Sequence, residues 1–334
     1  MKTVLLVFCL SYISLYSQPG YDVFTSMDEA LKDPAKVEYL DLYNQGLKSL
    51  PAGIEKLTNL KSLVLSANPE IDFNQAMKKI SKLEKLEILD LSYNDIKVLP
   101  SQITDMENLK TLSLDDCPGL DLQDAFEKLS GLENFSELWL SGNNLNDLPE
   151  NIIELKNLKS LWLNKNPLMN WSSLFEKLVR LEHLETLMLI ENDLNTIPEK
   201  ITELKNLKSL ALGANPKLNF KKEFEKIVKL ENLNKLYLFT NQMKELPESM
   251  AKLKNLTELD LGENPDIDYS KAFVLLAKLP KLESLWIQFN SLEKMPDSVS
   301  SLKNLKELGL MNNNFTNEEL DRIQKMLPAT KLLW

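Results

Sequence analysis

Twelve leucine-anchored segments begin at Val37, Leu60, Leu86, Leu109, Phe135, Leu158, Leu184, Leu207, Leu233, Leu256, Leu282 and Leu305. Their spacings run 23, 26, 23, 26 to the end, so the unit is 23 + 26 = 49 residues and it recurs six times. A chain with that period cannot fold around one spherical core. Each segment is one small structural unit that buries its apolar face only by stacking on its neighbours, so the whole chain can be one domain.

The shared part of each segment is L-x-x-L-x-L-x-x-N, as in Leu86, Leu89, Leu91 and Asn94. Alternation at this spacing sends the leucines to one side of a short strand and the intervening residues to the other. Asparagine closes the strand at positions 68, 94, 143, 166, 192, 215, 241, 264, 290 and 313. An amide donates and accepts at once, so stacked copies can satisfy the backbone groups exposed where each coil turns. The odd segments continue L-x-x-L-P-x-x-I-x-x-L-x-N, for instance Leu145, Leu148, Pro149, Ile152, Leu155 and Asn157. Proline there suits the start of a short helical turn, where a missing N–H costs little. The even segments place Asp72, Asp121, Asn170, Asn219 and Asp268 before an aromatic residue or leucine, with apolar residues following at helical spacing such as Phe175, Leu178 and Leu181. These five read as N-caps of α-helices. Calcium is the rival reading, but two of the five are asparagine and no glycine-centred ligand loop accompanies them.

These motifs resemble the leucine-rich-repeat family, and the L-P-x-x-I form resembles the subtype found in bacterial secreted members. The resemblance covers Val37 to the C-terminus. It implies an α/β fold: a right-handed solenoid with a parallel concave β-sheet of about 12 strands, and short helical turns alternating with α-helices on the convex side. The expected domains are a signal peptide over 1–17, an N-terminal helical cap over 18–36, eleven repeats over 37–304, and the last repeat with a C-terminal cap over 305–334. Within the caps, Ser26 is expected to cap a short helix through Lys32, and Thr316 to Leu327 a second helix followed by a strand-like Lys331–Trp334. With both ends capped, the array leaves no room for an enzyme domain.

One lysine, an apolar run from Val4 and a small residue at Ser17 form a secretory signal, too short for a mature membrane anchor. Cleavage is expected before Gln18, with the product periplasmic or extracellular. Lipidation at Cys9 is disfavoured by Phe8 in front of it. Export would leave Cys117 as the single cysteine, which excludes a disulfide framework, and its place in the asparagine ladder makes it an inert packing residue. The net charge of −10, from 39 basic and 49 acidic residues, argues against nucleic acid as a partner. His183, the one histidine, occupies a variable turn position without a nucleophile beside it. No phosphate loop, zinc spacing or dinucleotide fingerprint is present. The expectation is no enzyme, no cofactor, no metal, no membrane insertion and a monomer.

The concave face is where sequence freedom lies. Its central position reads Asp41, Val64, Asp90, Ser113, Trp139, Trp162, Met188, Ala211, Tyr237, Asp260, Trp286 and Gly309, and two residues on it shows Ile190, Phe239 and Met311. The first third is acidic and the remainder aromatic. Trp139, Trp162, Met188, Ile190, Tyr237, Phe239 and Trp286 therefore form a candidate stripe for a protein or peptide partner, exposed apolar surface being costly to keep. A glycan stacked on the same rings, or an adhesive surface without a dedicated ligand, is the alternative. Trp171 aligns instead with the inward aromatics of the even segments and is expected in the core.

Overall fold

A computed structural model describes residues 22–334. The expected signal peptide and its cleavage point lie outside the described residues. The described chain forms two compact units, 22–184 and Glu185–Trp334.

In the N-terminal unit seven parallel strands follow one another in chain order: β1 (Val23–Phe24), β2 (Tyr39–Asp41), β3 (Ser62–Val64), β4 (Ile88–Asp90), β5 (Thr111–Ser113), β6 (Glu137–Trp139) and β7 (Ser160–Trp162). Pairing is in register, so Leu63 stands against Leu89 and Leu138 against Leu161. The leucines thus form continuous buried rows, each side chain contributing about 1.5–3 kcal/mol by leaving water. Helices α1 (Met27–Ala30), α2 (Phe73–Ile80), α3 (Leu122–Leu129) and α4 (Trp171–Leu178) alternate with 3-10 turns at Pro34–Lys36, Ile54–Lys56, Ser101–Asp105 and Glu150–Glu154.

The C-terminal unit repeats the plan with β8 (Thr186–Met188), β9 (Ser209–Ala211), β10 (Lys235–Tyr237), β11 (Glu258–Asp260), β12 (Ser284–Trp286), β13 (Glu307–Gly309) and β14 (Lys331–Leu333). Between them lie α5 (Phe220–Ile227), α6 (Tyr269–Leu276), α7 (Asn317–Met326) and 3-10 turns at Glu199–Glu203, Glu248–Lys252 and Asp297–Ser301. In both units the helices other than α1 pack against the 3-10 turns. The edge strand β1 is additional to the twelve repeat strands and was not legible in the sequence, being two residues without a leucine pattern.

Each of the five expected caps accepts a backbone hydrogen bond from its helix: Asp72 from Asn74 and Gln75, Asp121 from Asp124, Asn170 from Ser173, Asn219 from Lys222 and Asp268 from Lys271. Thr316 does the same for Glu319. Ser26 does not: its side chain makes no cap hydrogen bond, and the helix behind it is a single turn. Pro100, Pro149, Pro198, Pro247 and Pro296 each stand directly before a 3-10 turn.

The ladder works through both ends of each amide. Asn166 Oδ1 accepts from the backbone of Asn143 at 3.1 Å and Leu145 at 3.0 Å, while its Nδ2 donates to Leu140 at 3.0 Å and Leu163 at 3.2 Å. Asn215 and Asn264 repeat the pattern. Cys117 fills one rung, its Sγ 3.5 Å from the Leu91 carbonyl and its N–H donating to Asn143 Oδ1 at 2.7 Å. Burial pushes its thiol up to about 12, which suits an unreactive packing residue.

Candidate ligand-binding face

Trp139 and Trp162 belong to the N-terminal unit. In-register pairing of β6 and β7 brings the two indoles together, ring centroids 4.5 Å apart and planes at 27°. Both indole N–H groups donate to one acceptor, Glu137 Oε1, at 2.9 and 3.1 Å. Burial raises the Glu137 carboxyl above its usual range, opposed by the two indole bonds and by Thr111. Packing and bonding together leave Trp139 only 3% exposed, against the expectation that it lines the surface, while Trp162 is half-buried and presents its outer side. The pair is a rigid clip with one accessible ring.

The first five coils carry a polar network on the same side of the sheet. Asp90 accepts from Ser66 Oγ at 3.0 Å and from the Ser92 backbone at 2.9 Å, Ser92 and Ser113 share a 2.6 Å hydroxyl contact, and Asp115 accepts from the Ser141 backbone at 2.6 Å. Asp115 is pushed up to about 8, chiefly by burial, with neighbouring Asp90 adding to the shift and the Ser141 N–H resisting it.

Five candidates lie in the C-terminal unit, and the structure divides them. Ile190 and Phe239 are buried, at 1% and 0% exposure, whereas Met188, Tyr237 and Trp286 are half-buried. Two of the rings are seated on glycine in the neighbouring coil. Phe239 lies over Gly213, where a Cβ would meet its ring at 2.5 Å, and Trp286 lies over Gly309, where a Cβ would sit 2.2 Å from the indole. A missing side chain makes a seat, and the aromatic ring next door fills it. Tyr237 donates to Glu258 at 3.0 Å, and burial followed by that carboxylate holds its phenol above the usual range. Asp260 accepts from the Gly262 backbone at 2.8 Å and from Gln288 Nε2 at 3.2 Å, and burial pushes it up to about 7.

Trp171 departs from expectation in the opposite direction. Phe73, Leu122, Phe220 and Tyr269 at the equivalent helix position are buried, but the larger indole is half-exposed. Sequence reasoning also passed over two tyrosines of the N-terminal unit. Tyr43 is 51% and Tyr93 45% exposed. Tyr43 stands two residues beyond Asp41, the same offset that had drawn attention to Ile190 and Phe239, so the alternation rule could have found it. Tyr93 occupies a left-handed turn position (φ 57°) that no strand rule covers.

His183 is exposed. Among the described residues no group of three or more histidine, cysteine or carboxylate side chains is arranged to hold a metal ion, and no helix is long and apolar enough to cross a membrane.

Comparison with known proteins bears on the scaffold. A family model described as a leucine-rich repeat region matches residues 151–326, and a second, for the single leucine-rich repeat, matches 85–106. No curated protein sequence matches the chain. Among solved structures, a leucine-rich-repeat protein of Leptospira interrogans is 28% identical, with 94% of this chain and 100% of that one covered and a TM-score of 0.50. An internalin of Listeria monocytogenes is 23% identical, with 90% and 88% covered and a TM-score of 0.53, a likeness of fold.

Proposed function

Since the chain belongs to the leucine-rich-repeat proteins, we propose that it is an exported bacterial scaffold that binds a protein or peptide through the outward face of its strands. One observation carries this reading. The half-buried rings of Trp162, Tyr237 and Trp286 are each immobilised from below, by the Glu137 clip, the Glu258 hydrogen bond or the Gly309 seat, while part of each ring faces water. Aromatic surface ordered before binding loses little conformational entropy when a partner arrives. Scaffolds of this fold are typically non-enzymatic. Export rests on the N-terminal signal pattern, and a mature chain beginning at Gln18 on N-terminal sequencing is the expected result.

The test compares wild-type protein with Trp162→Ala and Trp286→Ala variants in a pull-down followed by affinity measurement on the captured protein. Loss of about 2 kcal/mol or more in either variant is expected for an anchor residue. Unchanged affinity in both contradicts the reading. Binding on a glycan array that vanishes with the same substitutions, without a protein partner, would transfer the site to sugar recognition by ring stacking.

A further inference from the structure

Trp162 and Trp286 are both half-buried, yet they present different atoms. The Trp162 indole N–H is engaged by Glu137 Oε1 at 3.1 Å, so what remains accessible is ring alone. Trp286 has no such partner: among the described residues its indole N–H meets no acceptor, and it is not enclosed. The seat explains why. Contact with Gly309 is centred on Cε3, which a Cβ would meet at 2.2 Å, with Cζ3 at 2.9 Å and Cδ2 at 3.1 Å. These atoms lie in the six-membered ring, and Cε3 is across the ring fusion from the nitrogen. Strand β13 therefore holds the carbon side of the indole and leaves the N–H edge clear.

The charged groups of the strands around that donor are already engaged. Asp260, the register partner of Trp286 on β11, is buried, and its carboxylate accepts from the Gly262 backbone at 2.8 Å and from Gln288 Nε2 at 3.2 Å to each oxygen. Burial also pushes it up to about 7, which reduces its charge near neutral pH. Glu258 accepts from the Tyr237 hydroxyl at 3.0 Å and pairs with Lys235 at 3.1 Å. Glu307, at the start of β13, pairs with Lys331 at 4.0 Å. Charge on β10–β13 is thus compensated within the unit or buried, and Trp286 adds to this neutral face an accessible ring and an unengaged donor. The complementary ligand is uncharged, rich in acceptors and poor in donors. Helices and sheets have their carbonyls occupied, while a sugar brings hydroxyl donors that need acceptors in turn. A proline-rich segment in the polyproline II conformation fits: its carbonyls carry no internal hydrogen bond, proline has no N–H, and its ring packs on an aromatic face.

We propose that the C-terminal unit binds an uncharged, proline-rich segment of the partner protein, a proline ring lying on Trp286 and a peptide carbonyl accepting from its indole N–H. The proposal rests on the strand-face reading above and specifies the partner's chemistry at one of its anchors.

Decaproline is the probe, titrated into the isotope-labelled full-length protein while the indole N–H signals are followed by NMR. The Trp286 signal, identified by its loss in Trp286→Phe, should move downfield, and the Trp162 signal, already bonded to Glu137, should not move. Trp286→Phe keeps a ring over Gly309 and removes the donor, so it should weaken decaproline binding about fivefold, the scale of one hydrogen bond. Trp286→Ala removes ring and donor together and should weaken it further. The signal shift is read on the wild-type protein and decides the matter even if a variant unfolds. Absence of decaproline binding, a Trp286 signal that stays in place, or a Trp286→Phe protein that binds like wild type overturns the proposal. Cellohexaose shifting that signal where decaproline does not would assign the donor to a sugar and overturn it as well. A captured protein that depends on Trp286 but is not displaced by decaproline defeats this inference and leaves the strand-face reading intact. A partner that ignores every strand-face substitution defeats that reading instead.

Discussion

The two units share one scaffold and finish its outward face in different ways. In the N-terminal unit the face is organised by hydrogen bonds among Asp90, Asp115, serines and the Glu137–tryptophan clip; in the C-terminal unit it is organised largely by rings seated on glycine, Phe239 over Gly213 and Trp286 over Gly309. The asparagine ladder and leucine rows beneath are the same in both. Face chemistry is therefore set by pairs of residues one coil apart, almost independently of the coil itself, which is what lets a repeat fold carry unrelated surfaces.

The sharpest way to break this comparison is to empty a seat. Phe239→Ala removes a fully buried ring from the C-terminal unit and should cost about 3–5 kcal/mol by denaturant unfolding, the usual range for a large aromatic site. Trp162→Ala in the N-terminal unit removes one half-buried ring of a stacked pair and should cost less, about 0.5–1.5 kcal/mol from the stack plus its partial burial. Equal costs would mean that the rings of the two units play the same part.

A smaller effect is expected from the shared layer. Asn215→Ala leaves the backbone N–H groups of Asn192 and Leu194 without their acceptor, at about 1–3 kcal/mol, whereas His183→Ala at an exposed turn should stay within about 0.5 kcal/mol. Similar melting shifts for the two would contradict the ladder's register.

The contrast in face chemistry can be sharpened with pH. Asp115 and Asp260 hold their protons in the fold to about 8 and about 7, well above the unfolded value of 3.8. Their contribution is complete below pH 4 and is lost as the pH rises through 7 and 8, because the unfolded chain releases the proton first. Asp115→Asn should flatten the fall in melting temperature between pH 4 and 8 more than Asp260→Asn does. A steeper fall in either variant reverses the sign and contradicts the burial argument.

Much of this organisation was legible before any coordinates. Repeat register, ladder asparagines, five helix caps and the proline-led turns follow from short-range periodicity, and each is a contact whose partner lies at a fixed offset in the chain. Depth on the outward face is another matter. Whether a face residue is buried depends on what the neighbouring coil presents to it, a small seat or a stacking partner, so Phe239 disappears over Gly213 and Trp139 against Trp162 while Tyr43, next to Ser66, stays exposed. Those pairs are readable once the 23- and 26-residue offsets are known, but only if neighbouring coils are read together rather than strand by strand. Trp171 shows the remaining limit: alignment with Phe73 and Phe220 identified its place on the helix, and only the fold showed that the indole there stays half-exposed.

Site-specific photocrosslinking tests most directly the claim that the strand face is the binding surface. A crosslinking residue is placed in turn at Trp162, Trp286 and Tyr43 on the strand side and at the exposed Val274 on helix α6. The account predicts that the strand-side positions trap one and the same protein and that Val274 traps none of it. Capture of that protein from Val274, with none from the strand side, would contradict it.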